Sequence, residues 1–402
     1  MAGALDGIRV IDLTVWFQGP VAAQHLADFG AEVIKVERPQ GGDQARGVRS
    51  IKAVPVGDWN QYFLVINRNK KSIALDLKKP GGREIMYRLV EKSDVFLSNL
   101  GAENLARWEL GYEKLSSLNP RLVYATTTGY GYLGRVDKPA FDMTVQALTG
   151  LMARLGEPGQ PPIYLGMGSG DAYGGLMAAL GILLALHRRR KTGRGQMVDA
   201  SLYGAQLFLT APSLQAFLAT GDPRHASQQS RRTAENPLRN IYPAKDKWVF
   251  LCAGNDDAAW SRLCESLDEP RLAADPRFDS AAKRRANTGL VDLLDGVLRT
   301  RSAAEWMERW QRAGLPASPV QTLADLAADP QAWANDYLMD AWCEEVRRDV
   351  KVRGLPIGLS RTPGTVRSLG PELGQDTELF LADTLGYSWD EIGELKAQGA
   401  IP

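Results

Sequence analysis

Three cysteines in 402 residues, Cys252, Cys264 and Cys343, stand far apart with no CxxC pair, which argues against a disulfide framework and against a zinc site. The pattern fits a reducing compartment, and the cytoplasm is the expected location. An excess of charge is also missing. The 48 Lys and Arg balance 47 Asp and Glu for a net +1, so no global field marks a binder of nucleic acid or membrane surfaces. The opening stretch MAGALDGIRVIDL has neither the basic run nor the apolar core of a secretory signal. No uninterrupted apolar run of about 18 residues follows, and the chain is expected to be soluble. Internal repeats, heptads and low-complexity tracts are lacking too, which removes solenoids and coiled coils from consideration.

What is present is an alternation of short apolar runs and helical spacings. IRVIDL (8–13) and EVIKVE (32–37) read as buried strands around the helical stretch VAAQHLADF, with Pro20 suited to its first turn and Gly30 to its end. That is a βαβ unit with a right-handed crossover. The runs SIALDL (72–77), DVFLSNL (94–100) and LVYATTTGYG (122–131) alternate with GREIMYRLVEKS and YEKLSSL, predicting a Rossmann-like α/β fold. At this length burial favours two domains. Residues 1–225 are expected to begin a large domain, 226–325 to form a small α+β domain, and 326–402 to be loop-rich with helical ends. A dehydrogenase is disfavoured: the turn TVWFQGP after the first strand lacks GxGxxG, and Arg38 crowds Glu37, the acidic residue that would meet a ribose.

The segment 166–202 carries the chemistry. Gly166, Gly168 and Gly170 lead into Asp171, and an apolar helix is expected from about 172 to 190. Two readings of Asp171 are open. It caps the helix, or it is a carboxylate kept ionised at a helix N-terminus, where flexible glycines let a thioester carbonyl approach backbone N–H groups. HRRRKTGR (187–194) reads as cations complementing the helix C-terminus, with Gly193 as the stop.

The run from Gly170 to Leu202 resembles the signature of class III CoA transferases, the formyl-CoA and carnitine CoA-transferase family. LDGIRVIDLT, LADFGAEVIKVERP, NRNKKSIALDLKKPGG, SDVFLSNL, LGYEKLSSLNPRLVYATTTGYG and FDMTVQALTGLM follow the family order through nearly the whole chain. The resemblance implies CoA transfer between carboxylic acids, with Asp171 as the nucleophile that becomes acylated. It implies no permanently bound cofactor, acyl-CoA as substrate, a C-terminal segment returning to the large domain, and an interlocked dimer. CoA contacts fall on Arg38, Leu75, Lys78, Asn99 and Arg107, although Lys78 shares its segment with Lys70, Lys71 and Lys79 and also suits a solvated surface.

Further positions follow from the same match. Asp142 has either an orienting role near the active centre or a structural one. Gln18 faces the cofactor from the first-strand loop, or yields that place to Phe17, and Gly254 lies in a loop (AGND, 253–256) that closes over the reacting centre or is an ordinary turn. The chain departs from the family at Asn99-Leu100-Gly101-Ala102-Glu103 and at Glu109, where glycine is common. A racemase of α-methylacyl-CoA needs a histidine where Phe141 stands, and phenylalanine cannot abstract a proton. One subunit of a heteromeric transferase is the other alternative. Trp16, Phe17, Trp59, Tyr62, Phe141 and Tyr173 suggest a bulky or aromatic acceptor acid resembling a substituted succinate.

Overall fold

The computed structural model describes residues 3–50, 60–134, 139–166 and 168–402; Trp59 lies outside these. The chain divides into two compact units, one of Met1–Leu151, Tyr164–Ala211 and Pro330–Pro402, the other of Met152–Ile163 and Pro212–Asp329.

In the first unit, strands β1 (Arg9–Leu13), β2 (Glu32–Glu37), β3 (Lys70–Ala74), β4 (Val95–Ser98), β5 (Val123–Thr128) and β6 (Met197–Ser201) form one parallel sheet. Their order, β3-β2-β1-β4-β5-β6, is the doubly wound one, in which crossovers place helices on both faces. The alternation of side chains along each strand feeds two cores. Ile11, Ile34, Ile73 and Phe96 point into one, and Val10, Val33, Val95 and Val123 into the other.

Helix α1 (Gln18–Asp28) packs against a long helix, Ser169–Thr192. They meet at Gly175, where an added Cβ would stand 2.7 Å from the Gln18 carbonyl oxygen, so glycine is what lets the two backbones approach. The long helix is apolar enough by length and composition to cross a membrane, with a mean hydropathy of 1.4, but 44% of that window is buried inside the protein. Its outer residues Leu176, Leu180, Leu183 and Leu184 are exposed.

The C-terminal part of the chain packs onto this sheet. Phe380, Leu381, Leu385, Ile392 and Ile401 join the first core, while Asp376 Oδ2 accepts from Ser72 N (2.8 Å) and Thr377 Oγ1 from Ala74 N (3.0 Å), closing the outer edge of β3.

The second unit has its own core around Trp260, Trp306 and Trp310, under the antiparallel strands β7 (Arg239–Pro243), β8 (Trp248–Cys252) and β9 (Ala317–Pro319). Beyond Asp329-Pro330, where the sequence reads as loops, an antiparallel hairpin forms in the first unit from β10 (Leu338–Cys343) and β11 (Arg348–Arg353).

Glu109 has φ 59°, in the left-handed region that glycine enters without cost. The resemblance described above implies a glycine at this position. Glu109→Gly is therefore expected to raise stability by about 0.5 kcal/mol, strain relief exceeding the entropy added to the unfolded chain. Urea unfolding measures it, and a loss above about 1 kcal/mol would contradict the strain.

Candidate active site

The loop between β1 and α1 is held by side chains rather than by its own backbone. Asp12 Oδ1 accepts from the Thr14 N–H (3.1 Å) and hydroxyl, while Lys35 Nζ donates to the Thr14 carbonyl at 2.9 Å. Asn99 clamps Val15 from both sides, accepting from its N–H at 2.9 Å and donating to its carbonyl at 2.7 Å. Asp43 Oδ1 accepts from Trp16 N at 3.0 Å, and Trp16 itself sits at φ 67°. A bulky residue in that region is costly, and the surrounding bonds are what over-determine it.

Beneath the loop lie two ion pairs, Lys70–Asp12 (2.7 Å) and Lys35–Asp43 (2.9 Å), whose four side chains are 0% exposed. Burial brings the Lys70 ammonium down to about 8 against the pull of Asp12. Burial alone would raise the Asp12 carboxyl, but Lys70 and Lys35 hold it below its ordinary value. Glu37 is occupied as well: Arg46 donates to both its oxygens at 2.7 Å, and Ser72 Oγ and Asp43 N donate to it too. No oxygen of Glu37 is free for a ribose, which removes the remaining basis for a dehydrogenase.

Arg38, Leu75 and Lys78 converge at the carboxyl ends of β2 and β3, on one cavity of about 370 Å³. Leu75 is buried in its floor, and Arg38 and Lys78 are exposed at its rim. Asn99 lines a neighbouring cavity of about 410 Å³, and Leu100 borders both. The clamp on Val15 shows that Asn99 shapes the loop, whatever else it touches. Arg107 is exposed at the end of a short helix and lines neither cavity. Its neighbour Trp108 lines the first, a residue sequence reasoning passed over.

The long helix starts three residues earlier than the sequence suggests. Gly168, at φ 78°, is its N-cap without a side-chain cap, and Asp171 is its third residue, inside the first turn. Among the described residues nothing donates a hydrogen bond to the Asp171 carboxylate. Burial, and then the negative charge of Asp142, push it up to about 7.

The carboxylate facing the helix start is instead Asp142, first residue of the helix Asp142–Leu148. Its Oδ1 accepts from Gln206 Nε2 at 2.9 Å and Gln146 Nε2 at 3.1 Å. Burial raises the Asp142 carboxyl, while Gln146 and the amides of Gly168 and Gly170 oppose that rise. Asp142 thus lies toward the Gly168 and Gly170 amides while its Oδ2 is buried without a hydrogen-bond partner among the described residues, and neither Gln146 nor Gln206 is marked by any motif.

Gln18 is buried, donates to the Ala200 carbonyl at 3.1 Å and fills the space beside Gly174. Phe17 lies over Gly168, with its ring centroid 5.6 Å from that of Tyr62. Tyr173 stacks on Phe208, and Phe141 is exposed. Gly254, in the second unit, precedes Asp256, which caps the helix Asp257–Ser266 by accepting from Ala259 N at 2.8 Å.

Residues 5–377 match the model of CoA-transferase family III, and the chain belongs to that family. It is a CoA-transferase, similar over its whole length to enzymes of established name. A succinyl-CoA–D-citramalate CoA-transferase of Chloroflexus aurantiacus is 34% identical over 408 residues, covering 99% of this chain and 98% of that protein. The beta subunit of a succinyl-CoA–L-malate CoA-transferase from the same organism is 33% identical over 402 residues, covering 99% and 98%. The crystal structure of a CAIB/BAIF family protein from Brucella suis superposes with a TM-score of 0.85 at 30% identity, covering 95% of this chain and 100% of that one.

Proposed function

We propose that CoA passes from an acyl-CoA donor to a carboxylic acid by way of Asp171. Its carboxylate attacks the thioester carbonyl, the C–S bond breaks, and CoA thiolate leaves a mixed anhydride on the aspartate. Thiolate then attacks the aspartyl carbonyl, releasing the first acid and forming an aspartyl-CoA thioester. The acceptor carboxylate displaces thiolate again to give a second anhydride, and thiolate attacks its acceptor carbonyl, freeing Asp171. A carboxylate suits this order because an anhydride conserves the activation of the thioester.

The observation that carries the proposal is the state of Asp171: in the first turn of a helix, half-buried, and without a hydrogen bond that an attack would have to break. Arg38, Leu75 and Lys78 supply the CoA pocket in this reading. The Phe17–Tyr62 pair supports a bulky or aromatic acceptor resembling a substituted succinate. A homodimer is supported by the exposed leucine face of the long helix, and the small domain is proposed to be the second unit, inserted between parts of the first. The relative that is a beta subunit favours a second reading, in which this chain works beside a homologous one.

Purified protein offered succinyl-CoA or acetyl-CoA and a panel of acids, read by mass spectrometry, tests the reading. Product acyl-CoA together with hydroxylamine trapping at Asp171 supports it, and exchange with no label on Asp171 refutes it. If only the addition of a second homologous chain brings activity, the heteromeric reading stands.

The pH dependence has a definite sign. The attacking form is the carboxylate, so kcat/KM is expected to rise with pH and reach half its plateau near 7. Asp171 also carries a folded-state value above its unfolded one, so it loses stability for the fold as pH rises from about 4 to about 7. Asp171→Asn should therefore be more stable than the parent at pH 8 by roughly 1–2 kcal/mol, allowing for its partial exposure, and equal to it at pH 4. Thermal melts at the two pH values compare them; a gain at pH 4 as large as at pH 8 would show that charge is not the cause.

A further inference from the structure

Two buried glutamines converge on the carboxylate that stands beside the proposed nucleophile, and neither has an assigned role. Gln206, on the helix Leu202–Leu209, and Gln146, on the helix Asp142–Leu148, are both 0% exposed. Each sends its Nε2 to Asp142 Oδ1, and Gln206 also approaches the Asp142 carbonyl at 3.4 Å. Gln146 ties in the glycine loop besides, donating to the Gly166 carbonyl at 3.2 Å and accepting from Leu165 N at 2.8 Å.

The long helix accommodates this cluster through Gly170. A Cβ there would stand 2.1 Å from Gln206 Nε2 and 2.2 Å from Asp142 Oδ1, so the absence of a side chain lets both groups lie directly against the first helical turn. Gln206 Oε1 is buried without a hydrogen-bond partner among the described residues, a cost that a mere space-filling side chain would not carry. What Gln206 places is the carboxylate that faces the helix amides.

We infer that Gln206 is a positioning residue for CoA transfer: with Gln146 it clamps Asp142 beneath Gly170, so that Asp142 occupies the amide end of the helix and the Asp171 carboxylate stays unbonded and free to attack. The inference rests on the reading of Asp171 as nucleophile. If Asp142 were released, the N–H groups of the first turn would be open to Asp171, and a nucleophile engaged by donors is a weaker one.

The clamp also has a titration signature. The titratable groups facing Asp171 are Asp142 and, from the helix Gln61–Ile66, the Tyr62 phenol, which burial and then Asp171 keep above its ordinary range and neutral. Among the described residues, helix α1 brings the amide of Gln18 to this helix and the helix Leu202–Leu209 brings that of Gln206. Removing a donor from Asp142 favours its neutral form, which lessens the repulsion felt by Asp171.

The test is Gln206→Leu, close in volume but without the donor. Its kcat is expected to fall roughly 10–100-fold with KM for acyl-CoA within about threefold, as for a nucleophile present but misplaced. The midpoint of the kcat/KM profile should move to lower pH. In an Asp142→Asn background the same change should add less than about twofold, because Gln206 acts through Asp142. Gly170→Ala, which pushes into the same contact from the helix side, should reproduce the fall in kcat and decides the matter if Gln206→Leu does not fold. Unchanged kcat and midpoint in the folded variants, or effects of Gln206→Leu and Asp142→Asn that multiply independently, overturn the inference. Asp171→Ala separates the two claims. If it abolishes exchange while Gln206→Leu is normal, only the clamp fails, whereas exchange surviving Asp171→Ala refutes the nucleophile itself.

Discussion

Asp171→Ala is expected to lower CoA exchange by at least about a thousandfold while leaving acyl-CoA binding within a few fold, as when an interaction made only during reaction is removed. The reasons are local. The carboxylate has no hydrogen bond to forfeit, so its deletion leaves no orphaned donor, and Asp142 stays on its two glutamines beside the helix start. The variant should fold at least as well as the parent and should accumulate no hydroxylamine-sensitive adduct. Single-turnover assays with isotopically labelled acid measure the loss; exchange within tenfold of the parent would mean that the aspartate is a bystander.

Lys35→Ala should have the largest effect on stability, roughly 3–5 kcal/mol, because removing one partner of a buried pair leaves the other charge without compensation. Lys35 Nζ contacts Asp43 at 2.9 Å and the Thr14 carbonyl at 2.9 Å, with nothing of either charged side chain exposed. The same change unfastens the loop that presents Phe17 and Gln18, so CoA transfer should suffer even in the fraction that stays folded. Urea unfolding gives the magnitude. A loss below about 1 kcal/mol would show that water enters and takes over the role of the lysine. Restoring neutrality with Asp43→Ala on the same background should recover part of the loss.

The opening of the fold is legible in the sequence because its first two strands are mainly apolar runs and the boundaries of the helix between them carry their own markers. Pro20 and Gly30 stand where α1 begins and ends, and the runs at 8–13 and 32–37 contain β1 and β2. Strand β6 escapes such reading because MVDAS is short and half-exposed. The β10–β11 hairpin escapes because its strands mix charged and apolar residues behind an Asp-Pro break. Arg38, Leu75 and Lys78 are brought to one cavity by the sheet order, which no local pattern states.

The site shows the same division. Asp171 stands out by its glycines and its place before an apolar helix, but the residue facing that helix's amides comes from a helix some thirty positions earlier. Gln206 and Gln146 are ordinary amides in ordinary helices until three elements meet. Lys35 and Lys70 sit within strands as though at the surface, and only the burial of Asp43 and Asp12 beside them turns them into pillars of the loop.

The seal on β3 bears on how the protein is made. Leu75 and Lys78, which follow that strand, line the cavity of about 370 Å³, yet Asp376 and Thr377, which close its edge, lie 304 and 303 positions further along the chain than the residues they seal. Until that segment has been made, the nascent sheet carries an open strand, an invitation to pair with a neighbouring chain. A chain broken off before Asp376 keeps that edge bare and is not merely a weaker enzyme but a sticky one.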